Sequence, residues 1–232
     1  MLPIGDENTR GGPPPLVNWL FIAFNVLAFF LELSQPSPRA LQSFITAWGV
    51  VPREYSAGQD LAPFIPFPFW TTLLTSMFLH GGWGHLLGNM LYLWIFGDNL
   101  ERVMGHLRYA LFYVVCGLAA GLAHIAFNVH STMPSVGASG AISGVLGGYL
   151  LLFPRNRVNV MVGYGVTSVP AWVTLGLWIV IQFVNGFGSL GGARTDETGG
   201  VAYMAHIGGF VAGLVLVKLF AGRRSPTRPA YA

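Results

Sequence analysis

Six apolar stretches constrain this chain more than any other feature of its sequence. Inside a lipid bilayer every backbone polar group needs a partner within the protein, so apolar stretches of this length favour transmembrane helices. Only 9% of the residues are charged, and 53% are hydrophobic. The sequence therefore predicts an all-α polytopic membrane protein, a bundle of six transmembrane helices. The predicted spans are Leu16–Leu33, Trp83–Gly97, Leu107–Phe127, Val136–Phe153, Pro170–Phe187 and Val201–Phe220.

The polar segments at the two ends set the predicted domain limits. Residues 1–15 are polar and proline-rich, and no small-residue cleavage site follows the first apolar stretch. We therefore expect a cytoplasmic segment without a cleavable signal peptide. Residues 16–221 form the predicted membrane domain, and residues 222–232 form a basic cytoplasmic tail.

Two further apolar segments are unsuited to crossing the bilayer. The long connection Ser34–Leu79 carries Pro63, Pro66 and Pro68 among aromatic residues. Because proline interrupts helices and aromatic side chains favour the membrane interface, we predict a membrane-associated first outer loop here. Val158–Val169 is too short to cross and contains glycine, so we predict an interfacial connection.

The lysine and arginine residues fall mainly on one side of the predicted spans. Basic residues are enriched in cytoplasmic segments, so the distribution predicts that both termini are cytoplasmic (N-in/C-in). It also explains the net charge of +3 without a nucleic-acid partner. We expect a multi-pass protein of the cell membrane. The predicted inner side holds Arg10, Arg102, Arg108, Arg155, Arg157, Lys218, Arg223, Arg224 and Arg228, and the outer side holds Arg39, Arg53 and Arg194.

Polar residues from three predicted spans fall at a similar depth below the outer boundary. Ser139 lies about one turn into the fourth span and His206 one to two turns into the sixth. His85 and Asn89 are four residues apart, so they share one face of the second span. Polar side chains within a membrane usually face the bundle interior and mark function. These four residues therefore predict one common site.

Two stripes of small residues adjoin this site. Such stripes allow membrane helices to pack backbone to backbone. If the stripes face each other, the hydroxyl of Ser139 and the imidazole of His206 come within hydrogen-bonding distance. The stripes are Gly140, Gly144 and Gly148 in the fourth span, and Ala205, Gly209 and Gly213 in the sixth.

A serine beside a histidine predicts acyl-transfer chemistry. His206 would take the proton of Ser139 and later deliver it to the leaving amine. The oxyanion would be stabilised by the backbone N–H of Ser139, the side-chain amide of Asn89 and His85. We predict a Ser-His dyad without an acidic member, because the carboxylates lie elsewhere. Asp98 and Glu101 end the second span and are expected at the opposite membrane face. Glu32 is expected at the edge of the first span, near the outer face.

The remaining histidines and the single cysteine do not extend this chemistry. No spacing on one helix provides two ligands and a carboxylate, so we expect neither a metal nor a cofactor. We expect His106 to be solvated or to contact a lipid headgroup, His130 to be solvated, His124 to have no catalytic role and Cys116 to be a packing residue.

Three motifs resemble those of the rhomboid intramembrane serine proteases. They are His80-Gly-Gly-Trp-Gly-His85-Leu-Leu-Gly-Asn89, Gly137-Ala-Ser139-Gly140 and Ala205-His206-Ile-Gly-Gly209, in the family's order. The resemblance implies a six-helix bundle with Ser139 as nucleophile and His206 as general base. It also implies that His85, Asn89 and Gly137 lie on the oxyanion and substrate side, that His80 is structural, and that the fifth span and the loop after it form a lateral gate.

One position departs from the family pattern. Some members carry a tyrosine four residues after the nucleophile, where it stacks on the catalytic histidine. Ser143 occupies that position here. We therefore expect His206 to be oriented by packing alone or by the hydroxyl of Ser143. A tryptophan-arginine pair found in the first loop of some members has no clear counterpart either, since Trp48 and Arg53 are not adjacent.

The sequence thus predicts an intramembrane serine endopeptidase whose partners are transmembrane proteins and the lipid bilayer. A substrate helix must unwind before its backbone can be attacked, so helix-weakening residues should favour cleavage. Two other functions compete. An inactive rhomboid-like protein would bind transmembrane helices for quality control or trafficking, and a small transporter would need internal repeats that the six spans do not show.

Overall fold

A computed structural model describes residues 2–7, 14–191 and 202–221. Each predicted apolar stretch is helical over most of its length, and three helices are long and apolar enough to cross a membrane: Leu16–Leu33, His106–Phe127 and Tyr203–Ala221. The predicted tail 222–232 lies outside the described residues. The elements are β1 (Leu2–Asp6), α1 (Leu16–Leu33), α2 (Pro38–Trp48), α3 (Pro52–Ala57), α4 (Thr72–Thr75), α5 (Trp83–Met104), α6 (His106–Phe127), α7 (Ser139–Leu152), β2 (Arg157–Val162), β3 (Gly165–Pro170), α8 (Ala171–Gly191) and α9 (Tyr203–Ala221).

The second predicted span does not end at its charged residues. Helix α5 continues past Gly97 to Met104, and the side chain of Glu101 is fully buried. Its carboxylate accepts hydrogen bonds from the backbone N–H groups of Val17 (2.9 Å) and Asn18 (2.7 Å) in the first turn of α1. Free N–H groups at a helix N-terminus favour a negative charge, which offsets the cost of burying it. The second predicted helix is therefore longer than the segment Trp83–Gly97 expected from the sequence.

Helix α7 begins at Ser139, later than the predicted start at Val136. The segment before it is held by a hydrogen bond from the Gly137 N–H to the Ser76 carbonyl, 2.8 Å long. Ser139 is thus the first residue of its helix and not one turn inside it. Its backbone N–H belongs to the first turn, whose N–H groups have no partner within the helix.

A small antiparallel sheet in the order β1–β2–β3 corrects the all-α expectation. Strand β1 comes from the polar N-terminal segment, and β2 and β3 come from the segment that was predicted to be an interfacial connection. Asp6 in β1 pairs with Val158 in β2, and β2 pairs with β3 from Arg157 to Val162. Val158 and Val160 are fully buried and alternate with exposed neighbours. This period of two is the pattern of a strand with one buried face.

The first strand is anchored to the helices through the carboxylate of Asp6. It accepts hydrogen bonds from the Asn99 side chain in α5 (2.8 Å) and from the Tyr149 hydroxyl in α7. Burial away from water raises the pKa of Asp6 to about 8, although both hydrogen bonds act in the opposite direction. The sheet is therefore fastened to the end of the bundle opposite Ser139.

The predicted stripes of small residues do face each other. Cβ atoms added to Gly209 and Gly213 of α9 would each lie 2.0 Å from a carbonyl oxygen of α7, those of Gly140 and Gly144 respectively. Only glycine permits this backbone contact. Helices α7 and α9 therefore form the closely packed centre of the bundle.

The connection between α1 and α5 is ordered by its own short helices. Thr75 donates a hydrogen bond to the Trp48 carbonyl (2.7 Å), and the hydroxyls of Tyr55 and Thr72 are 2.8 Å apart. The aromatic side chains of Phe64, Phe67 and Trp70 remain exposed. This arrangement is compatible with the predicted contact with a membrane, which stays a prediction.

Candidate active site

Ser139 and His206 are in contact across the α7–α9 interface. The Nε2 atom of His206 lies 2.8 Å from the Oγ atom of Ser139. Ser139 is positioned by the N-terminus of α7, and His206 lies one turn into α9. Both side chains lie next to the close contacts that Gly209 and Gly213 of α9 make with the backbone of α7. A hydroxyl at this distance from an imidazole nitrogen can transfer its proton to that nitrogen.

Gln182 of α8 contacts the other ring nitrogen of His206. Its Oε1 atom lies 2.8 Å from Nδ1, and both side chains are only 8% exposed. Sequence analysis missed this residue. The available signal was a polar residue in a mainly apolar helix, since polar groups in membrane helices usually face the bundle interior, but Thr174 and Asn185 of α8 give the same signal.

The expectation that Ser143 orients His206 was wrong. The Ser143 hydroxyl donates instead to the backbone carbonyl of Ser139, 2.6 Å away, one turn back along α7. The indole of Trp178 in α8 packs against the imidazole, with ring centroids 5.8 Å apart and planes inclined by 33°. Orientation of His206 by packing alone was also wrong, because Gln182 adds a hydrogen bond.

Gly137 and His85 lie together beside Ser139. Gly137 has φ +133°, and a Cβ atom on it would come within 2.8 Å of Cε1 and Nε2 of His85. The Nδ1 atom of His85 accepts a hydrogen bond from the Gly81 N–H, 3.3 Å away. In neutral imidazole the other nitrogen then carries the hydrogen, so Nε2–H of His85 is a donor on the Gly137 side.

Asn89 takes part in a buried chain of polar groups. Its Nδ2 atom lies 3.0 Å from Nε2 of His80, and the His80 backbone N–H donates to the Glu32 carboxylate at 2.9 Å. One amide hydrogen of Asn89 is therefore used by His80, and the second is available. The His80 and His85 rings are in edge-to-face contact at 5.1 Å. Glu32 is thus buried beneath the His80 segment and forms no hydrogen bond to Ser139 or His206 within the described chain.

A cavity of about 30 Å³ opens beside the serine. It is large enough for a water molecule, which needs at least about 10–15 Å³. Ser139, Gly137 and His124 line it, and Val50 and Leu73 of the first loop cover it. His124 therefore faces the cavity without a hydrogen bond to the Ser-His pair. Among the residues that the structure describes, no three His, Cys, Asp or Glu side chains come together to bind a metal.

Comparison with known proteins identifies relatives over most of the chain. The family model described as the Rhomboid domain matches residues 68–223. The Rhomboid protease GluP of Bacillus subtilis (strain 168) is 33% identical over 201 residues, which is 86% of this chain and 34% of that protein. The RHOMBOID-like protein 5 of Arabidopsis thaliana is 35% identical over 144 residues, 62% of this chain and 42% of that protein. The Rhomboid protein 1, mitochondrial, of Saccharomyces cerevisiae is 30% identical over 148 residues, which is 62% of this chain and 40% of that protein. The matched regions thus cover between 34% and 42% of these relatives.

Proposed function

This chain belongs to the rhomboid family, and from that membership together with the site geometry we propose that it is an intramembrane serine endopeptidase. It hydrolyses peptide bonds in or near transmembrane segments of other membrane proteins by a Ser-His dyad. The observation that carries the proposal is the 2.8 Å separation of His206 Nε2 and Ser139 Oγ. A nucleophile and base in contact are the minimum that acyl transfer requires.

The reaction proceeds through an acyl-enzyme. The Oγ atom of Ser139 attacks the scissile carbonyl carbon while its proton moves to Nε2 of His206. The imidazolium then protonates the leaving amine, and the C–N bond breaks. Water enters from the cavity, gives a proton to Nε2 and attacks the ester. The proton returns to Oγ as the acid product leaves.

The negative oxygen of each tetrahedral intermediate is stabilised by three groups. These are the backbone N–H of Ser139, Nε2–H of His85 and the free amide hydrogen of Asn89. One such donor contributes roughly 3–4 kcal/mol to the transition state. Gly137 leaves room for the substrate backbone, because a side chain there would occupy the space next to His85.

The proposed site lies within the depth of the membrane. A helix of 14 residues such as α7 rises about 21 Å, which is less than the hydrocarbon core of about 30 Å. We propose six spans in the N-in/C-in orientation, with residues 1–15 and 222–232 cytoplasmic and residues 16–221 as the membrane domain. The first loop then faces outward over Ser139, and α8 forms the lateral gate together with the loop after it, which lies outside the described residues.

The proposed partners are transmembrane proteins and lipid, with no nucleic acid, metal or cofactor. A helical substrate has a closed, hydrogen-bonded backbone, so it must unwind locally at the site. Glycine or proline near the scissile bond promotes this unwinding. We propose the cell membrane as the location.

A reconstituted cleavage assay tests the proposal. The purified chain in lipid vesicles should cleave a reporter with one transmembrane segment, and a fluorophosphonate should label Ser139. Ser139→Ala should reduce cleavage by at least about 10³-fold and abolish labelling. Ser143→Ala is the matched control, because this buried serine bonds only to its own helix, and it should retain both. Binding of the reporter without cleavage or labelling would favour the inactive, helix-binding function instead.

A further inference from the structure

We propose that Gln182 and Trp178 of α8 are positioning residues for the general base, Gln182 by setting the tautomer of His206 and Trp178 by setting the plane of its ring. The inference deepens the proposed function and rests on it.

The tautomer follows from the atom that Gln182 presents. An amide oxygen can only accept a hydrogen bond, and Oε1 lies 2.8 Å from His206 Nδ1, so Nδ1 carries the hydrogen. The lone pair of the neutral ring then lies on Nε2, which faces the Ser139 hydroxyl. The opposite tautomer would point an N–H group at Oγ and leave Ser139 without a base.

The same contact persists through the reaction. When Nε2 takes the proton of Ser139, the Nδ1–H group remains bonded to Gln182, so no rearrangement is needed. An acidic residue holds the histidine in this way in a catalytic triad. Here a neutral amide occupies that place, and burial of both side chains keeps competing water away.

Trp178 restricts the ring from a second direction. It is four residues before Gln182, so both side chains lie on one face of α8. Its indole contacts His206, with centroids 5.8 Å apart, and also Phe210 one turn further along α9, at 6.1 Å. The Trp178 ring therefore packs on the histidine as a tyrosine at position 143 does in some family members. Ser143 cannot do so here, because its hydroxyl donates a hydrogen bond to the Ser139 carbonyl of its own helix.

The base is therefore oriented by α8 and not by α7, which carries the nucleophile. A displacement of α8 removes the hydrogen bond between Gln182 and His206 together with the contact between the Trp178 and His206 rings. His206 is then free to rotate and to exchange tautomers. Competence of the dyad is consequently coupled to the position of α8 against α9.

Steady-state kinetics in lipid vesicles test the role of Gln182. Gln182→Leu removes the acceptor while keeping the approximate shape, and it should lower kcat roughly 10- to 100-fold, as expected for a hydrogen bond to a charged group. KM should change by less than about twofold. Gln182→Glu restores an acceptor oxygen and should recover most of kcat. Thr174→Val is the matched control, since Thr174 is buried two turns earlier on α8 and its hydroxyl has no hydrogen-bond partner among the residues that the structure describes.

The outcomes separate this inference from the proposed function. If Gln182→Leu keeps wild-type kcat while Ser139→Ala is inactive, the inference is overturned and the protease proposal stands. If Gln182→Glu is as slow as Gln182→Leu, Gln182 is only structural and the inference is also overturned. Gln182→Met replaces the leucine variant if the latter does not fold.

A spectroscopic measurement decides the tautomer without reference to activity. The ring nitrogens of His206 are observed by NMR in protein labelled with [15N]histidine and assigned from the spectrum of His206→Gln. Wild type at neutral pH should show hydrogen on Nδ1, and Gln182→Leu should show a mixture. A wild-type ring protonated on Nε2 would overturn the inference, even if no cleavage were found and the proposed function had failed separately.

Discussion

Gly209 of α9 lies so close to the carbonyl of Gly140 in α7 that a Cβ atom on it would come within 2.0 Å of that oxygen. The contact immediately follows Ser139 along α7 and lies within one turn of His206 along α9. It therefore determines how far apart the hydroxyl and the imidazole are held. Backbone contact between the helices is what allows two short side chains to meet.

Gly209→Ala is expected to destabilise the protein and to stop cleavage. The added methyl group must push the helices apart, and overpacking of this kind costs about 1–3 kcal/mol. Thermal unfolding and the reporter assay measure the two effects. Gly176→Ala in α8 is the control, because a Cβ atom there has no neighbour within 4 Å in the described part of the chain. A Gly209→Ala protein with wild-type stability would show that the helices can separate without loss.

Gly137→Ala is expected to lower kcat by about 10²-fold, the effect of losing one oxyanion donor. A Cβ atom at this position would displace the His85 ring. Gly82→Ala provides the control, since its φ of +146° is similarly unfavourable but its Cβ atom would have no described residue within 4 Å. Equal losses of kcat in both variants would attribute the effect to backbone strain instead.

Asn89→Leu is expected to reduce the free energy of unfolding by about 1–3 kcal/mol, because it leaves the buried Nε2 of His80 without a partner. It should also lower kcat through loss of an oxyanion donor. Glu32→Gln at the other end of this polar chain keeps an acceptor for the His80 N–H and should change both quantities little. Chemical denaturation and the cleavage assay measure them. Unchanged stability of Asn89→Leu would show that His80 finds another partner.

Docking of β1 is expected to weaken as the pH rises. The pKa of Asp6 is raised by burial from 3.8 to about 8, so the folded state holds a proton that the undocked strand releases. Stability of docking should therefore fall between about pH 4 and pH 8 and become constant above that range. A spin label on Ile4→Cys reports the docked fraction, and the other cysteine, Cys116, is buried.

Asp6→Asn tests the assignment of this pH dependence to one carboxyl group. The variant keeps an oxygen for Asn99 but cannot ionise, so its docked fraction should be independent of pH. The same slope in Asp6→Asn as in wild type would assign the effect to another group.

The sequence alone determined where the six apolar helices lie along the chain, apart from the end of α5 and the start of α7, and which small residues form the two stripes. Both follow from local patterns, namely runs of apolar residues and small residues at four-residue spacing. Each of Ser139 and His206 directly precedes or follows a stripe residue, so the sequence predicted their approach on the condition that the stripes face each other, and the structure shows that contact. Asp98 and Glu101 do not end the helix as expected, since that inference did not consider the N-terminus of α1 as a partner for the buried carboxylate of Glu101.

The tertiary structure alone decided which side chain completes the contacts of His206. Thr174, Gln182 and Asn185 are all polar residues in α8, and no local pattern distinguishes among them. Only the rotation of α8 and its crossing of α9 place Gln182 at Nδ1 and leave Asn185 exposed. The pairing of β1 with β2 could not be predicted from a local pattern either, because it joins residues more than 150 positions apart. The spacing of apolar and small residues can be recognised in the sequence itself. A hydrogen bond between distant elements depends on their relative orientation in space.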